Sequence, residues 1–312
     1  HYTAILSAAT ANGASGTVAG AVADAGSNLT NVTLTGATSV TATISNANDL
    51  TAVTLDSEVT DIDLNNVANV LLDINDLTNR TITTNGGTYK VKDTATNLAA
   101  AAEALLSDQT IVINDANTAA TTTELNSIQT KMVSNGGSGT VTYTKLTDTA
   151  TNLVTNSDDI VAGVAVTVDE TGQNAPANTT QINSLQTAVQ NASNGASLTY
   201  TKVSDSSQNL RNNTSDLEGK TVTVSDSSSA SQYSTLISAV TANGAAGTVA
   251  GAVADAGSNL TDVTLTGATS VTATISNAND LTSVTLDSDV THIDLNNIAN
   301  VLLDINDLTN RT

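Results

Sequence analysis

Four aspartates, Asp63, Asp73, Asp294 and Asp304, are the side chains best spaced to do chemistry, and that chemistry is the holding of a divalent cation. Two of them are the polar centre of an apolar-polar-apolar triplet that recurs at steps of about ten residues: Val32-Thr33-Leu34, Ala42-Thr43-Ile44, Val53-Thr54-Leu55, Ile62-Asp63-Leu64 and Leu72-Asp73-Ile74. Asp294 and Asp304 repeat the last two positions in a second copy of the same stretch. Such triplets predict short strands with two residues facing in and one facing out. If consecutive strands stack about 4.8 Å apart, Asp63 and Asp73 are like charges in register, unfavourable unless a cation or a donor lies between them. Calcium is the cofactor that arrangement would take. Strands lying on different faces would instead leave both carboxylates in water.

Catalytic chemistry has far less to work with. The histidines are His1 and His292, and the counterpart of His292 in the first copy is Asp61. No glycine loop precedes a Lys-Ser or Lys-Thr pair, and no carboxylate pair stands out from a repetitive acidic background. The expectation is a protein that is not an enzyme. Nine Lys and Arg against thirty Asp and Glu give a net charge of -21, which leaves no basic surface for nucleic acid. Cysteine is absent, so disulfides and thiolate metal sites are excluded. No apolar run approaches the roughly 20 residues that span a bilayer.

The elements that position these residues follow from a recurring phrase, Asp148-Thr-Ala-Thr-Asn-Leu153, which returns at Asp93–Leu98, Asp205–Leu210 and Asp24–Leu29. A β-branched run such as Thr140–Leu146 precedes it, and apolar pairs seven apart (Leu98 with Leu105, Leu153 with Ile160, Leu210 with Leu217) follow it. Strand, Asp cap and helix are the reading, because the carboxylate suits the positive end of a helix. A second strand (Ile111–Ile113, Val164–Val168, Thr221–Val224) leads to a second helix with one apolar stripe: Leu125, Ile128, Met132; Ile182, Leu185, Val189; Tyr233, Leu236, Val240. Asn-Gly turns then close each unit.

The fold class expected is a repeat solenoid of β-α-β-α units, each about 50 to 57 residues, interrupted by all-β solenoid-like blocks. The chain divides as 1–28 (the end of one α/β unit and the start of the next), 29–81 (a β-rich block), 82–259 (tandem α/β units) and 260–312 (a second β-rich block). Residues 66–77 also fit a helical stripe. Residues 1–81 recur at 232–312, with about 69 of the 81 aligned positions identical. The swaps are mild, as a packed repeat demands: Ile5 becomes Leu236, Val67 becomes Ile298 and Glu58 becomes Asp289. The chain has no Trp, no Phe and one Met, so its core is built of Val, Ile, Leu and Ala, which suits identical stacked rungs. It opens without an initiator Met or a signal peptide, inside what aligns as a second helix, and so reads as a piece of something longer. Tyr89, Tyr143 and Tyr200, each with a Lys close behind, are expected at a core edge, with the Lys guarding an exposed strand.

With Lys145-Leu-Thr-Asp-Thr-Ala-Thr-Asn-Leu153 beside Lys202-Val-Ser-Asp-Ser-Ser-Gln-Asn-Leu210, the chain resembles the V-x-D-T-A-x-N-L repeats of very large bacterial cell-surface and secreted proteins, notably of marine cyanobacteria and some alphaproteobacteria. The resemblance covers the α/β units more closely than the β-rich blocks. It implies an extracellular or cell-surface location and a role in adhesins, surface layers or fibres. Many such proteins carry calcium-binding nonapeptide repeats with a Gly-Gly-x-Gly-x-Asp pattern; here Asn135-Gly-Gly-Ser-Gly139 is followed by Thr140, so calcium binding of that kind does not carry over. The expected function is a structural segment of a long extracellular fibre or giant surface protein, a stiff acidic rod whose partner is further copies of itself, end to end or lateral. Two alternatives stand beside it: an adhesin that binds cell-surface glycan, and a calcium-stabilised matrix or surface-layer component.

Overall fold

The computed structural model describes residues 1–11, 18–51, 53–192, 194–309 and 311–312. It is an α/β fold with ten α-helices and four sheets among the described residues, and every pairing described is parallel. No sheet of the described residues closes into a barrel. No described helix is long and apolar enough to cross a membrane. The chain forms two compact units, His1–Leu146 and Thr147–Thr312.

In the first unit α1 (Tyr2–Ala9) precedes β1 (Gly20–Ala25), β2 (Ala37–Thr43) and β3 (Asp61–Asp63). Then come β4 (Val70–Leu72), α2 (Ile74–Asn79), β5 (Thr81–Thr83) and β6 (Tyr89–Asp93). The short helices α3 (Ala95–Ala100) and α4 (Glu103–Leu106), β7 (Thr110–Ile113), α5 (Thr122–Val133) and β8 (Thr140–Thr142) complete it. Strands run in the orders β1-β2-β3-β5 and β4-β6-β7-β8. Parallel neighbours need a crossover between them, which α3, α4 and α5 supply for β6, β7 and β8.

The β-rich block departs from the expected ten-residue step. Thr41, Asp61 and Thr81 stand opposite one another in β2, β3 and β5, so the rung repeats every 20 residues. Val32–Leu34 and Val53–Leu55 are not strands; Leu34 and Leu55 are buried from the connections between strands. The helical stripe over residues 66–77 resolves into both elements, since β4 holds Val70–Leu72 and α2 begins at Ile74. Asn65, Asn66 and Asn69 take positive φ in the turn between β3 and β4, the conformation Asn tolerates best after Gly. Between β1 and β2, Gly36 has φ +89°, and a Cβ there would sit 2.4 Å from the Val18 carbonyl oxygen.

The second unit follows β9 (Lys145–Asp148), on which the division falls. It holds α6 (Ala150–Thr155), β10 (Ala165–Val168), α7 (Thr179–Ala192), β11 (Ser197–Thr199), β12 (Lys202–Asp205), α8 (Ser207–Asn212) and β13 (Thr221–Ser228). It ends with α9 (Ala230–Val240), β14 (Thr248–Ala256), β15 (Ala268–Thr274), β16 (His292–Asp294) and α10 (Ile305–Leu308). The sheet orders are β11-β10-β9 and β12-β13-β14-β15-β16.

The second-helix stripes are buried as the 3.6 period requires. Leu125, Ile128 and Met132 of α5, Ile182 and Leu185 of α7, and Tyr233, Leu236 and Val240 of α9 all face the core, with Val189 half-buried. The first helices are shorter than their seven-residue apolar pairs suggest. α6 and α8 stop after six residues and pass into 3₁₀ turns, from which Ile160 and Leu217 reach the core.

Several tertiary contacts recur in both copies of the duplicated sequence. Tyr2 donates its hydroxyl to the Val18 carbonyl and Tyr233 to that of Val249, both at 2.9 Å. Arg80 donates to the Leu55 and Asp56 carbonyls at 3.1 and 3.3 Å; Arg311 donates to those of Leu286 and Asp287 at 3.3 and 3.0 Å. The Arg80 guanidinium is buried and pairs at 3.2 Å with the buried carboxylate of Asp76 in α2. Burial, reinforced by the nearby Asp73 charge, pushes Asp76 up to about 6 in spite of Arg80. A folded-state value above the ordinary 3.8 means that the folded chain binds this proton more tightly. The site's contribution is therefore fully present below about 3.8 and is lost as pH rises through about 6. A carbon-detected NMR titration of Asp76 is expected to show a midpoint near 6, and Asp76→Asn is expected to remove on the order of 2–3 kcal/mol of pH-dependent stability across that window. A midpoint near 4 would contradict the buried arrangement.

Candidate functional site

The carboxylates at the starts of helices and in the turns carry most of the polar structure, and each sequence-predicted ligand is among them. Asp63 lies in β3 between Thr43 and Thr83, where its Oδ1 accepts from the Asn65 amide at 2.9 Å and the Asn85 side-chain amide at 2.8 Å. Asp73 caps α2, accepting from the Asp76 amide at 2.7 Å while its own amide donates to the Asp76 carboxylate. Asp294 accepts from the Asn296 amide at 2.9 Å, opposite Thr274 of β15. Asp304 caps α10 and accepts from the Asn306 and Asp307 amides at 2.7 and 3.0 Å.

These positions correct the register that made a bridging cation attractive. Asp63 and Asp73 are not neighbours on stacked strands, because β3 belongs to the β1-β2-β3-β5 sheet and Asp73 follows β4 in the other. Asp294 lies in β16, and Asp304 follows residues 301–303, which form no strand. The spacing of ten alternates between chain segments of one rung instead of stepping from rung to rung. Among the described residues no three His, Asp or Glu side chains converge as metal ligands. The histidine at 292 is exposed, with its Nδ1 2.8 Å from the Thr291 hydroxyl.

What the carboxylates do is join a strand end to the start of an earlier helix. In the recurring phrase the helix cap is the residue after the aspartate: Thr94, Thr149 and Ser206 accept from the amides of Asn97, Asn152 and Asn209. The aspartate itself uses one oxygen within its own turn. Oδ1 of Asp93, Asp148 and Asp205 accepts from the next backbone amide at 2.7 to 2.8 Å and from the Asn four residues on at 2.7 to 2.9 Å. Asp24 and Asp255 repeat both bonds. The second oxygen reaches backward to an earlier helix. Oδ2 of Asp93 accepts from the Ile74 amide at 3.1 Å, Oδ2 of Asp205 from the Thr179 amide at 3.1 Å and its hydroxyl at 2.7 Å, and Oδ2 of Asp255 from the Ala230 amide at 3.0 Å. Ile74, Thr179 and Ala230 are the first residues of α2, α7 and α9, whose leading N–H groups have no partner within their own helix.

A second device is absent from the sequence reading. Thr140–Leu146 does not run as one strand; it breaks into β8 and β9 around Tyr143 and Thr144. Asp115, buried after β7, receives the Thr144 and Lys145 amides and the Thr144 hydroxyl, the last two at 2.7 and 2.9 Å. Glu170, buried after β10, receives the Thr201 and Lys202 amides at 3.1 and 2.9 Å where β11 breaks from β12. Lys145 and Lys202 open β9 and β12, the end strands of their sheets, and their ammonium groups donate to the carbonyls of Ala116 and Glu170 at 2.9 and 3.0 Å. Asp226 occupies the matching place after Val224, and because β14 runs unbroken its carboxylate turns to the Ser207 amide at 2.7 Å, the first residue of α8. The signal was an acidic residue two positions after the last apolar residue of a second strand: Ile113 then Asp115, Val168 then Glu170, Val224 then Asp226.

The tyrosine of the second of these breaks sits at a core edge as expected. Tyr200 is 8 % exposed, its hydroxyl donates to the Asp216 carbonyl at 3.0 Å, and Lys220 lies 4.5 Å over its ring. Comparison with known proteins gives no match: no family model fits the chain, and no curated protein or solved structure is similar to it.

Asp205 tests the joining role because it holds groups of α7 and of its own turn at once. Burial opposes its charge, but the bonds from Thr179, Asn209 and Ser206 outweigh that and hold its carboxyl below the ordinary range. Its stabilisation is present above the unfolded value and is lost as pH falls through the lower folded value. Asp205→Ala is expected to cost about 1–3 kcal/mol in urea unfolding at pH 7, with the gap to the native chain narrowing as the pH is lowered below about 4.

Proposed function

We propose that the chain is a repeat solenoid and serves as a structural segment of a long extracellular fibre or giant cell-surface protein, a stiff acidic rod that associates with further copies of its own repeat. The observation that carries this reading is the use made of buried and half-buried polar groups. Asp93, Asp205 and Asp255 each accept from the first amide of an earlier helix, and Asp115 and Glu170 each accept the paired amides at a strand break. Those bonds connect successive repeats, and they recur at matching positions instead of converging on one cleft. The same economy holds for the buried guanidinium of Arg80, which ties turn carbonyls 24 and 25 residues back in the chain. Nearest-neighbour joining of this kind is what a stacked array needs, since each repeat is stabilised by the next.

The charge supports an exposed, soluble role. A balance of -21 repels like molecules in water and favours solubility. A surface depression beside α7 is lined by Ser157, Asp158, Ser184, Thr187 and Asn191 together with Ile160, Ala188 and Ala192. Small-angle scattering of the full chain tests the reading. The expected result is the profile of a single rod of uniform cross-section, with a radius of gyration well above the roughly 20 Å of a compact domain of this length. A compact globule, or two separate lobes, would overturn it.

A further inference from the structure

In the first unit the carboxyl ends of three neighbouring parallel strands, β4, β6 and β7, border a cavity of about 150 Å³. Open α/β sheets take small ligands on that side, outside the carboxyl ends of their strands. Asp73 follows β4, Lys92 and Asp93 end β6, Asn114 follows β7, and buried Leu50 with half-buried Leu71 supplies the apolar part of the lining. The lining is held in place by bonds that leave most of its polar side chains uncommitted. Leu71 N–H donates to the Ala47 carbonyl at 3.0 Å, which pins the turn that carries Leu50, and Asn114 N–H donates to the Asp93 carbonyl at 2.8 Å. Asp49 closes the same turn on the Ser45 and Asn46 amides at 2.6 and 3.0 Å. Asp93 is fully engaged, with Oδ1 on the Thr94 amide and the Asn97 side chain and Oδ2 on the Ile74 amide. Asp73 engages only Oδ1, on the Asp76 amide at 2.7 Å. Among the described residues the Lys92 ammonium and the Asn114 side-chain amide make no hydrogen bond, and Lys92 forms no ion pair with Asp73. That sets Lys92 apart from Lys131, Lys145 and Lys202, whose ammonium groups all donate to backbone carbonyls. Lys92 is half-buried, and an ammonium drawn out of water without an acceptor costs free energy.

We propose that this cavity is a binding site for a free α-amino acid, whose carboxylate pairs with Lys92 and whose ammonium pairs with Oδ2 of Asp73. The inference goes beyond the structural role above and does not depend on it. The two charges of the lining decide the class of ligand. A simple anion would answer Lys92 and be repelled by Asp73 and Asp93; a simple cation would answer Asp73 and be repelled by Lys92. A zwitterion answers both at once. Asn114 offers an N–H₂ donor and a carbonyl acceptor and so serves either end of such a molecule. Leu50 and Leu71 leave apolar surface for a short aliphatic side chain. A neutral sugar has hydroxyls for Asn114 but brings no counter-charge to Lys92 or Asp73. The pinned turn and the fixed strand ends mean that little ordering is needed on binding, which favours affinity.

The test titrates L-alanine and L-leucine into the full chain and follows backbone amide shifts by NMR, with glucose and an equimolar mixture of acetate and methylammonium as controls. The expected result is saturable binding of the amino acids, with shifts centred on the amides of Leu71, Lys92 and Asn114, and no saturable binding of either control. Lys92→Gln is expected to lower the affinity at least about tenfold. Asp73→Asn removes the second charge and keeps the cap of α2, because Asn caps a helix as well as Asp does, and is expected to cause a loss of the same size. Amide protection in β6 and β7 of each variant verifies that the fold is retained. Three results would overturn the proposal: no saturable shift with either amino acid, a control that binds as well as the amino acids, or unchanged affinity in both folded variants. The scattering profile of the chain is independent of added amino acid, so a rod that binds none removes this inference and leaves the structural reading standing.

Discussion

The structure depends on carboxylates that accept backbone N–H groups from two places at once. A parallel sheet joined by helices leaves the leading amides of each helix without internal partners, and a core of Val, Ile, Leu and Ala has no polar atoms to offer them. Asp93, Asp205 and Asp255 meet that need from a neighbouring repeat. Because the acceptor is charged, each bond is stronger than one between neutral groups, and because its other oxygen is fixed by an Asn four residues on, the carboxylate is held ready in the folded chain. The high count of Asp and Asn is thus a consequence of the architecture, and the net charge follows from it.

The same logic explains where the strands break. At Thr144 and Thr201 the sheet ladder is interrupted, and an interrupted ladder leaves amides that cost free energy if buried without an acceptor. Asp115 and Glu170 fill that role, and where β14 runs unbroken the matching Asp226 serves a helix instead. The device therefore follows the local backbone. In the β-rich block the direction is reversed: Arg80 and its twin Arg311 donate to turn carbonyls, those of Leu55 and Leu286 and, beside the Val59 and Val290 amides, those of Asp56 and Asp287.

The helical half of this design was legible in the sequence and the register of the β-rich half was not. Leu125, Ile128 and Met132 show a 3.6 period that only one element satisfies, and they are buried in α5. The phrase beginning at Asp148 marked the strand-to-helix hinge correctly, although the cap is Thr149. By contrast, a triplet every ten residues fits both a stack of short strands and a longer rung that passes its strands to different sheets. Chain spacing alone cannot separate them, so for Asp63 and Asp73 it admits both facing charges and carboxylates on different faces; one lies between threonines and the other caps a helix. The clamp at Glu170 has a local mark, an acid two positions past Val168, but its partners lie 31 and 32 residues away, and that spacing names no partner.

Long-range carboxylate bonds to backbone amides hold this fold together, and the amides of Thr201 and Lys202 report on them most directly. They lie at a strand break, where a loop would exchange freely, yet both are held by Glu170. Native-state hydrogen exchange of the full chain is expected to find them protected like the flanking amides of β12, and to find that protection lost in a Glu170→Ala variant whose remaining strands stay protected. Exchange at the rate of an open loop in the unaltered chain, or protection that survives the substitution, would contradict the account.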